Sequence, residues 1–143
     1  MGEIVWALNE TNDSLSDLLS YTRAYAVEYL LNNGIQCQVN APPVFPSIFV
    51  SGEFRRNIYL TIKEALHNIV KHANAMHVIV TIEIDKILRI GIHDDGVGFN
   101  RMNIRPFSNG LNNMQKRMKD ISGQLEIIHD KGTAIILTAP LQI

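Results

Sequence analysis

The sequence predicts a two-layer α/β sandwich in which a mixed β-sheet is covered by helices on one face. Predicted strands come largely in pairs along the chain, and helices with one apolar stripe stand between the pairs. Such strands favour an antiparallel or mixed sheet, and each helix has to bury its stripe against a second layer. A chain of 143 residues, 46% of them hydrophobic, suits one packed domain with a short attached arm.

The chain begins with a predicted helical arm over residues 3–32, in two pieces. Apolar and aromatic side chains recur there at three- and four-residue steps, which is the spacing of one helical face. Asn12 or Asp13 is the predicted N-cap of the second piece. Asn33 and Gly34 end this helix, because glycine takes a positive φ at little cost.

A second long helix is predicted over residues 52–74, with polar side chains opposite its apolar stripe. At about 100° per residue, Glu64, Asn68 and Lys71 fall within roughly 60° of one another, and His72 lies on the flank. Such a stripe is either a solvated helix face or the wall of a site. In a site, the carboxylate would orient or deprotonate a water or a hydroxyl, and the amide oxygen would ligate a hard cation such as Mg²⁺.

The other predicted elements follow from alternating apolar residues and from prolines and glycines. Asp85 and Lys86 fit a hairpin turn, and Ser122 and Gly123 stop the last helix. The elements are a strand at 35–39, a loop at 41–47, strands at 78–84 and 87–92, a loop at 93–110, a helix at 111–121, and strands at 125–129 and 134–137.

The loop after the second strand pair opens with the residues HDDGVGF. Gly96 and Gly98 would let the backbone approach a ligand closely. Asp94, at the end of a strand, can accept a hydrogen bond from an exocyclic amine. The alternative interpretation is a tight turn or an acidic loop of the kind that binds calcium. The segment lacks the ligand spacing of an EF-hand, and no Walker motif follows it.

Ser108 to Leu111 are predicted to open the next helix, after which Lys131-Gly132-Thr133 form a turn. The exposed amides of a helix N-terminus attract phosphate. The competing interpretation is an ordinary N-cap at Ser108 or Asn109, which needs no ligand. Neither segment decides the function by itself.

Charge and composition exclude several classes of protein. Thirteen basic and fourteen acidic residues give a net charge of −1, so the chain lacks the excess of positive charge that sequence-independent nucleic-acid binding requires. The single cysteine, Cys37, cannot form an internal disulfide. No apolar run has the roughly 18–20 residues of a membrane span, and no secretory leader opens the chain.

The order of these motifs resembles the ATP-binding catalytic domain of sensor histidine kinases. This domain belongs to the GHKL superfamily, which also includes DNA gyrase and heat-shock chaperones. IKEALHNIVKHANA resembles the N box of the kinases that usually pair with helix-turn-helix response regulators. IHDDGVGF and NGLNNMQKRM resemble the two glycine boxes, and KGTAIILTAP resembles the terminal Gly-Thr strand. The resemblance covers residues 34–141 and implies the Bergerat ATP-binding fold.

The segment before residue 34 is similar to the helix and linker that precede this domain in such kinases. The resemblance therefore divides the chain into a helical arm at 1–33, the end of a dimerisation region or linker, and an ATP-binding domain at 34–143. The start at Met1 to Ile4 is expected to be a cut through a longer kinase, downstream of its phosphoacceptor.

On the adenine side, the resemblance implies a role for four residues. Asp94 would accept a hydrogen bond from the adenine amino group. Gly96 and Gly98 would let the backbone of the lid pass the nucleotide. Thr133 would lie near a water network beside the adenine.

On the phosphate side, the resemblance makes Glu64 the catalytic residue that polarises or orients the nucleophile. Asn68 would ligate Mg²⁺, so that ATP and Mg²⁺ are the implied cofactors. The residues that would contact or close over the phosphates are Lys71, His72, and Gly110 with Leu111 at the start of the helix. Phosphoryl transfer then rests on positioning and charge neutralisation.

Two residues depart from the family pattern. Ser108 and Asp130 stand where glycines are usual in the second glycine box and the terminal box. They put phosphate affinity in question more than adenine recognition. The alternatives are therefore a degenerate GHKL module that only binds a partner protein, and a GHKL ATPase.

None of the five histidines lies in the helical arm, so the phosphoacceptor is expected on dimerisation helices outside this chain. The resemblance implies a homodimeric parent kinase and a response regulator with a helix-turn-helix output, without direct contact between this domain and nucleic acid. It also implies a cytoplasmic domain of a membrane-anchored parent.

Overall fold

The structure, a computed structural model, describes residues 13–96, 104–129 and 132–141, with residues 104–109 described by their backbone alone. Three α-helices, one π-helical turn and five strands make up this part of the chain. They are α1 (Leu15–Asn32), β1 (Gln36–Asn40), α2 (Gly52–Asn68), the π turn (Ile69–Ala73), β2 (His77–Ile84), β3 (Ile87–Asp94), α3 (Ile104–Asp120), β4 (Gln124–His129) and β5 (Thr133–Pro140).

The five strands form one mixed sheet in the order β1-β2-β3-β5-β4. Only the pair β1 and β2 is parallel; the other three pairs are antiparallel. The register places Asp94 at the end of β3 opposite Thr133 at the start of β5. Two polar residues from distant parts of the sequence thus become neighbours where these two central strands meet at one end of the sheet.

One face of the sheet is buried under the helices. Residues of β2, β3 and β5 alternate between buried and more exposed positions, as the two-residue period of a strand requires. The buried side chains join those of the three helices in one hydrophobic core. The predicted two-layer sandwich, with a mixed sheet covered on one face, is confirmed.

Helix α1 is an integral part of this core. Leu15, Leu18 and Leu19 are fully buried in it. The N-cap is Ser14, whose Oγ accepts a hydrogen bond from the Asp17 N–H at 3.0 Å, and not Asn12 or Asp13. Gly34 takes the predicted positive φ, at 76°. The first predicted helical piece, before residue 13, lies outside the described residues, and the boundary at residue 33 remains a prediction.

The second predicted helix is not α-helical throughout. α2 ends at Asn68, and the chain continues as a π-helical turn to Ala73 before Asn74 adopts a left-handed conformation with φ 51°. A π turn bonds each residue to the fifth one before it, so the angle of 100° per residue does not extend beyond Asn68. The α-helical angle on which the predicted alignment of Lys71 rests does not apply there, and the alignment itself stays a prediction.

The third predicted helix starts earlier than expected. α3 begins at Ile104, which corrects both the loop predicted to Gly110 and the helix start predicted at Ser108 to Leu111. Pro106 is compatible with the first helical turn, because the first N–H groups of a helix have no partner within it. Gly110 is thus an interior residue of α3, so the structure has no helix N-terminus at Gly110, and the predicted role of Gly110 beside the phosphates stays a prediction.

Candidate functional site

The first polar group of the candidate site lies where α3 crosses α2. Glu64 and Asn68 are one turn apart on α2, and Gly110 of α3 lies against both. A Cβ on Gly110 would be 2.5 Å from Glu64 Oε1 and 3.4 Å from Asn68 Nδ2. A glycine inside a helix is unfavourable by about 1 kcal/mol relative to alanine, and here it allows this close approach. The structure thus brings these three predicted residues together.

Asn68 is the buried member of this group. Its Nδ2 has no hydrogen-bond partner among the residues that the structure describes. A buried amide without a partner costs roughly 1–3 kcal/mol, which a bound ligand or water would recover. The same side chain carries the amide oxygen that could ligate a hard cation.

The second polar group is centred on Asp94, at the end of β3. Its side chain is only 1% exposed. Oδ1 accepts the N–H of Gly96 at 2.9 Å, whereas Oδ2 has no hydrogen-bond partner within the described ranges. Burial raises the pKa of Asp94, and the N–H groups of Gly96 and Thr133 oppose that rise. One carboxylate oxygen is therefore fixed by the loop while the other remains to accept a ligand donor.

Close backbone packing holds this group in place from two sides. A Cβ on Gly96 would overlap the carbonyl oxygen of Ala73, the last residue of the π turn. A Cβ on Gly132 would overlap the carbonyl oxygen of Asp94, and Gly132 has a φ of 117° that other residues rarely adopt. Thr133 follows directly, fully buried, and its Oγ1 has no partner in the described part of the chain.

The remaining predicted site residues are placed less closely. Lys71 is exposed and His72 is half-buried on the π turn. Leu111 is half-buried and packs against the core, which gives it a structural contact. Gly98 lies outside the described residues.

His67, which precedes Asn68 by one residue, faces away from the polar stripe. Its Nε2 is 3.1 Å from the hydroxyl of Tyr25, and its ring stacks on Tyr29 with a centroid distance of 4.7 Å. The expected packing role of His67 is confirmed. This contact ties α1 to the end of α2 that carries the site.

Asp95 has contacts that the sequence analysis missed. Oδ1 accepts the N–H groups of Met76 and His77 at 2.9 and 3.0 Å, and Oδ2 is 2.8 Å from His77 Nδ1. Three hydrogen bonds from His77 and Met76 lower the pKa of Asp95 to about 2. The available signal was the second aspartate of HDDG, because aspartate side chains commonly bond backbone N–H groups at turns.

An open cavity of about 360 Å³ lies at the other end of α2. Phe49, Phe54, Asp120 and Leu141 are among its lining residues. None of the predicted site residues lines it. We therefore place the candidate site by its buried polar groups, since these require a partner and the cavity lining does not.

The candidate site suits a polar ligand with donors at one end and anionic oxygens with a cation at the other. Asp94 Oδ2, Thr133 Oγ1 and Asn68 Nδ2 have no hydrogen-bond partner among the described residues, and Asn68 lies one turn from Glu64. Within the described residues, no group of three or more histidine, cysteine or acidic side chains could hold a metal ion. Mg²⁺ needs few protein ligands when phosphates and waters supply the others, so Asn68 fits that requirement.

Comparison with known proteins shows the family of the chain. Residues 54–143 match the family model described as histidine kinase-, DNA gyrase B- and HSP90-like ATPase. The sensor histidine kinase YvfT of Bacillus subtilis is 33% identical over 141 residues, which cover 94% of this chain and 37% of that protein. The kinase/phosphatase DegS of Brevibacillus brevis is 39% identical over 88 residues, which cover 59% of this chain and 22% of that protein.

Solved structures share the fold. The histidine kinase domain of the Erythrobacter litoralis EL346 blue-light activated histidine kinase superposes with a TM-score of 0.72 at 20% identity, covering 94% of this chain and 66% of that one.

The chain spans well under half the length of the two Bacillus and Brevibacillus kinases that it matches in sequence. No helix in the described ranges is long and apolar enough to cross a membrane.

Proposed function

The chain belongs to the histidine kinase-, DNA gyrase B- and HSP90-like ATPase family, and we propose that it binds ATP·Mg²⁺ as the catalytic domain of a sensor histidine kinase. In the intact kinase it would donate the γ-phosphoryl group to a histidine outside this chain. The observation that carries the proposal is the buried Asp94, with one oxygen bound by the N–H of Gly96 and the other without a partner among the described residues.

On the adenine side, Asp94 Oδ2 would accept a hydrogen bond from the exocyclic amine. Guanine presents a carbonyl oxygen at the equivalent position, so an ionised Asp94 would select adenine. Thr133 Oγ1 would bond the base or a water beside it. Gly96 would let the backbone lie close to the nucleotide, and Gly98 is predicted to do the same.

On the phosphate side, Asn68 would ligate Mg²⁺ through its amide oxygen, and Glu64 would orient the attacking nucleophile. Lys71 and His72 would face the phosphates from the π turn. ATP supplies the transferable phosphoryl group and Mg²⁺ neutralises its charge. The protein's own contribution is to position the reacting groups and to exclude water from them.

The partners proposed for this domain follow from the same assignment. They are the phosphoacceptor histidine on the dimerisation helices of a homodimeric parent kinase, and a response regulator with a helix-turn-helix output. We further propose that the domain lies on the cytoplasmic side of a membrane-anchored parent.

Titration with ATP, with and without Mg²⁺, tests the proposal by calorimetry. Wild-type protein should bind ATP, and Mg²⁺ should tighten binding about tenfold or more. Asn68→Ala should bind ATP with little dependence on Mg²⁺, because the residue that ligates the ion is lost. Asn57→Ala removes the same side chain about three turns earlier on α2 and should retain the dependence.

A folded wild-type protein that does not bind millimolar ATP would contradict the proposal and favour a module that only binds a partner protein. An Mg²⁺ dependence that is unchanged in Asn68→Ala would remove the metal role from Asn68 and leave ATP binding intact.

A further inference from the structure

We propose that Asp95 is a positioning residue that sets the selectivity of this domain for adenine by holding Asp94 in place. The inference rests on the proposed function of Asp94. It concerns the next side chain, whose carboxylate bonds Met76 and His77 and not the polar group centred on Asp94. Asp95 acts by joining the loop after β3 to the segment that enters β2.

The contacts of Asp95 span the end of the β2–β3 ladder. The last register pair of these strands joins Val78 to Asp94. Beyond it, the backbone N–H of Asp95 donates to the His77 carbonyl oxygen at 3.2 Å. The Asp95 carboxylate then accepts the N–H groups of Met76 and His77. One residue thus makes three hydrogen bonds to the backbone of a two-residue segment.

That segment follows the end of the helix that carries the phosphate side of the site. Only Asn74 and Ala75 separate Met76 from Ala73, whose carbonyl oxygen lies against Gly96. Asp95 and Gly96 therefore hold the loop against two points of one short stretch. Asp94 lies directly before both, and its Oδ1 is bound by the N–H of Gly96. A shift of the loop would consequently reorient the carboxylate that faces the ligand.

The ion pair with His77 is the smaller part of this arrangement. The side chains of His77 and Asp95 are 60% and 48% exposed, and such pairs contribute little in water. The two bonds to backbone N–H groups are charge-assisted, and their geometry is fixed by the sheet. With a pKa lowered to about 2, Asp95 remains ionised at any pH where the protein would work.

The test compares ATP with GTP, because a role in stability alone would not alter the choice of base. For Asp95→Ala we expect the dissociation constant for ATP to rise about tenfold. The preference for ATP over GTP should fall by a similar factor. Asp95→Asn keeps the oxygen that accepts both backbone N–H groups and should stay within about threefold of wild type. Asp85→Ala, at the other end of the β2–β3 hairpin, is the matched control and should match wild type.

Urea unfolding of the same variants separates folding from selectivity. If Asp95→Ala does not fold, Asp95→Glu replaces it. Glutamate keeps the negative charge, but its added methylene moves the carboxylate away from the N–H groups of Met76 and His77. A folded Asp95→Ala or Asp95→Glu with the wild-type preference for ATP would overturn the inference alone. Failure of the wild-type protein to bind ATP would overturn the proposed function together with it.

Discussion

The two ends of α2 treat buried polar side chains in opposite ways. Near its start, Arg55 donates to the Val50 carbonyl oxygen at 2.6 Å, and Asn57 donates to the Arg117 carbonyl oxygen at 2.9 Å. Thr61 Oγ1 donates to the Asn57 carbonyl oxygen at 2.6 Å. At its other end, the buried Asn68 has an Nδ2 without a hydrogen-bond partner among described residues.

Asp94 and Thr133, which lie beside that second end, share this property of Asn68. A polar group buried without a partner destabilises a fold, whereas a paired one is nearly neutral or stabilising. The helix therefore carries paired polar residues that serve folding at its start, whereas at its end it carries Asn68, whose Nδ2 has no partner among the described residues. Buried groups without a partner among the described residues favour a bound ligand or water, because either one would recover their cost.

The largest effect should come from Asp94→Asn. We expect ATP affinity to fall about 100-fold, roughly 2.7 kcal/mol, because a charged acceptor for the adenine amine becomes an amide. Competition titrations with ATP measure this loss. Affinity equal to that of wild type would show that Asp94 does not select adenine.

The same variant should not be less stable at neutral pH. Burial raises the pKa of Asp94 above 3.8 in the folded protein, so the ionised form opposes folding. The stability of wild type relative to Asp94→Asn should therefore fall as the pH rises from below 3.8 through the raised pKa. Urea midpoints of both proteins across this range report the sign. A relative stability that rises with pH would contradict the stated direction.

A smaller effect is expected at the start of α2, where a substitution should lower stability and leave ATP affinity unchanged. Asn57→Ala leaves the Arg117 carbonyl oxygen, in the last turn of α3, without its side-chain donor. We expect a loss of about 2 kcal/mol in the free energy of unfolding, measured in urea. ATP affinity, measured well below the unfolding transition, should be unchanged. A loss of affinity with intact stability would mean that the two ends of the helix do not differ as stated.

The sheet and the helices could be predicted because each depends on local patterns. The strand pairs followed from alternation, and the turn at Gly34 followed from its tolerance of positive φ. The start of α3 could not be predicted, because Ser108 and Asn109 carry the signals of an N-cap and yet lie inside the helix. Their local preference is overridden by the packing that sets Gly110 against Glu64.

The site was predictable in its residue types and less so in its geometry. Glu64 and Asn68 share a face because α-helical spacing holds between them. For Lys71 the α-helical spacing does not hold, because the π turn begins at Ile69, and no residue type in the sequence indicates a π turn. The contacts of Asp95 depend on strand register, which is a tertiary property.

The smallest predicted effect compares one substitution at three buried threonines. Two of them, Thr22 and Thr133, have a hydroxyl without a partner among the described residues, and the third, Thr61, has a paired one. Thr133→Val removes an unpaired hydroxyl beside the candidate site, so the free energy of unfolding should rise by roughly 0.5–1 kcal/mol, whereas ATP affinity should fall about threefold. Thr61→Val removes a paired hydroxyl and should lower the free energy of unfolding by about 1 kcal/mol without altering affinity. Thr22→Val removes an unpaired hydroxyl on α1, and should stabilise the fold without altering affinity. Urea unfolding and ATP titration of all three separate an unpaired group that serves a ligand from one that does not. If Thr133→Val and Thr22→Val behave alike in both measurements, the absence of a partner at Thr133 is a feature of packing and not of the site.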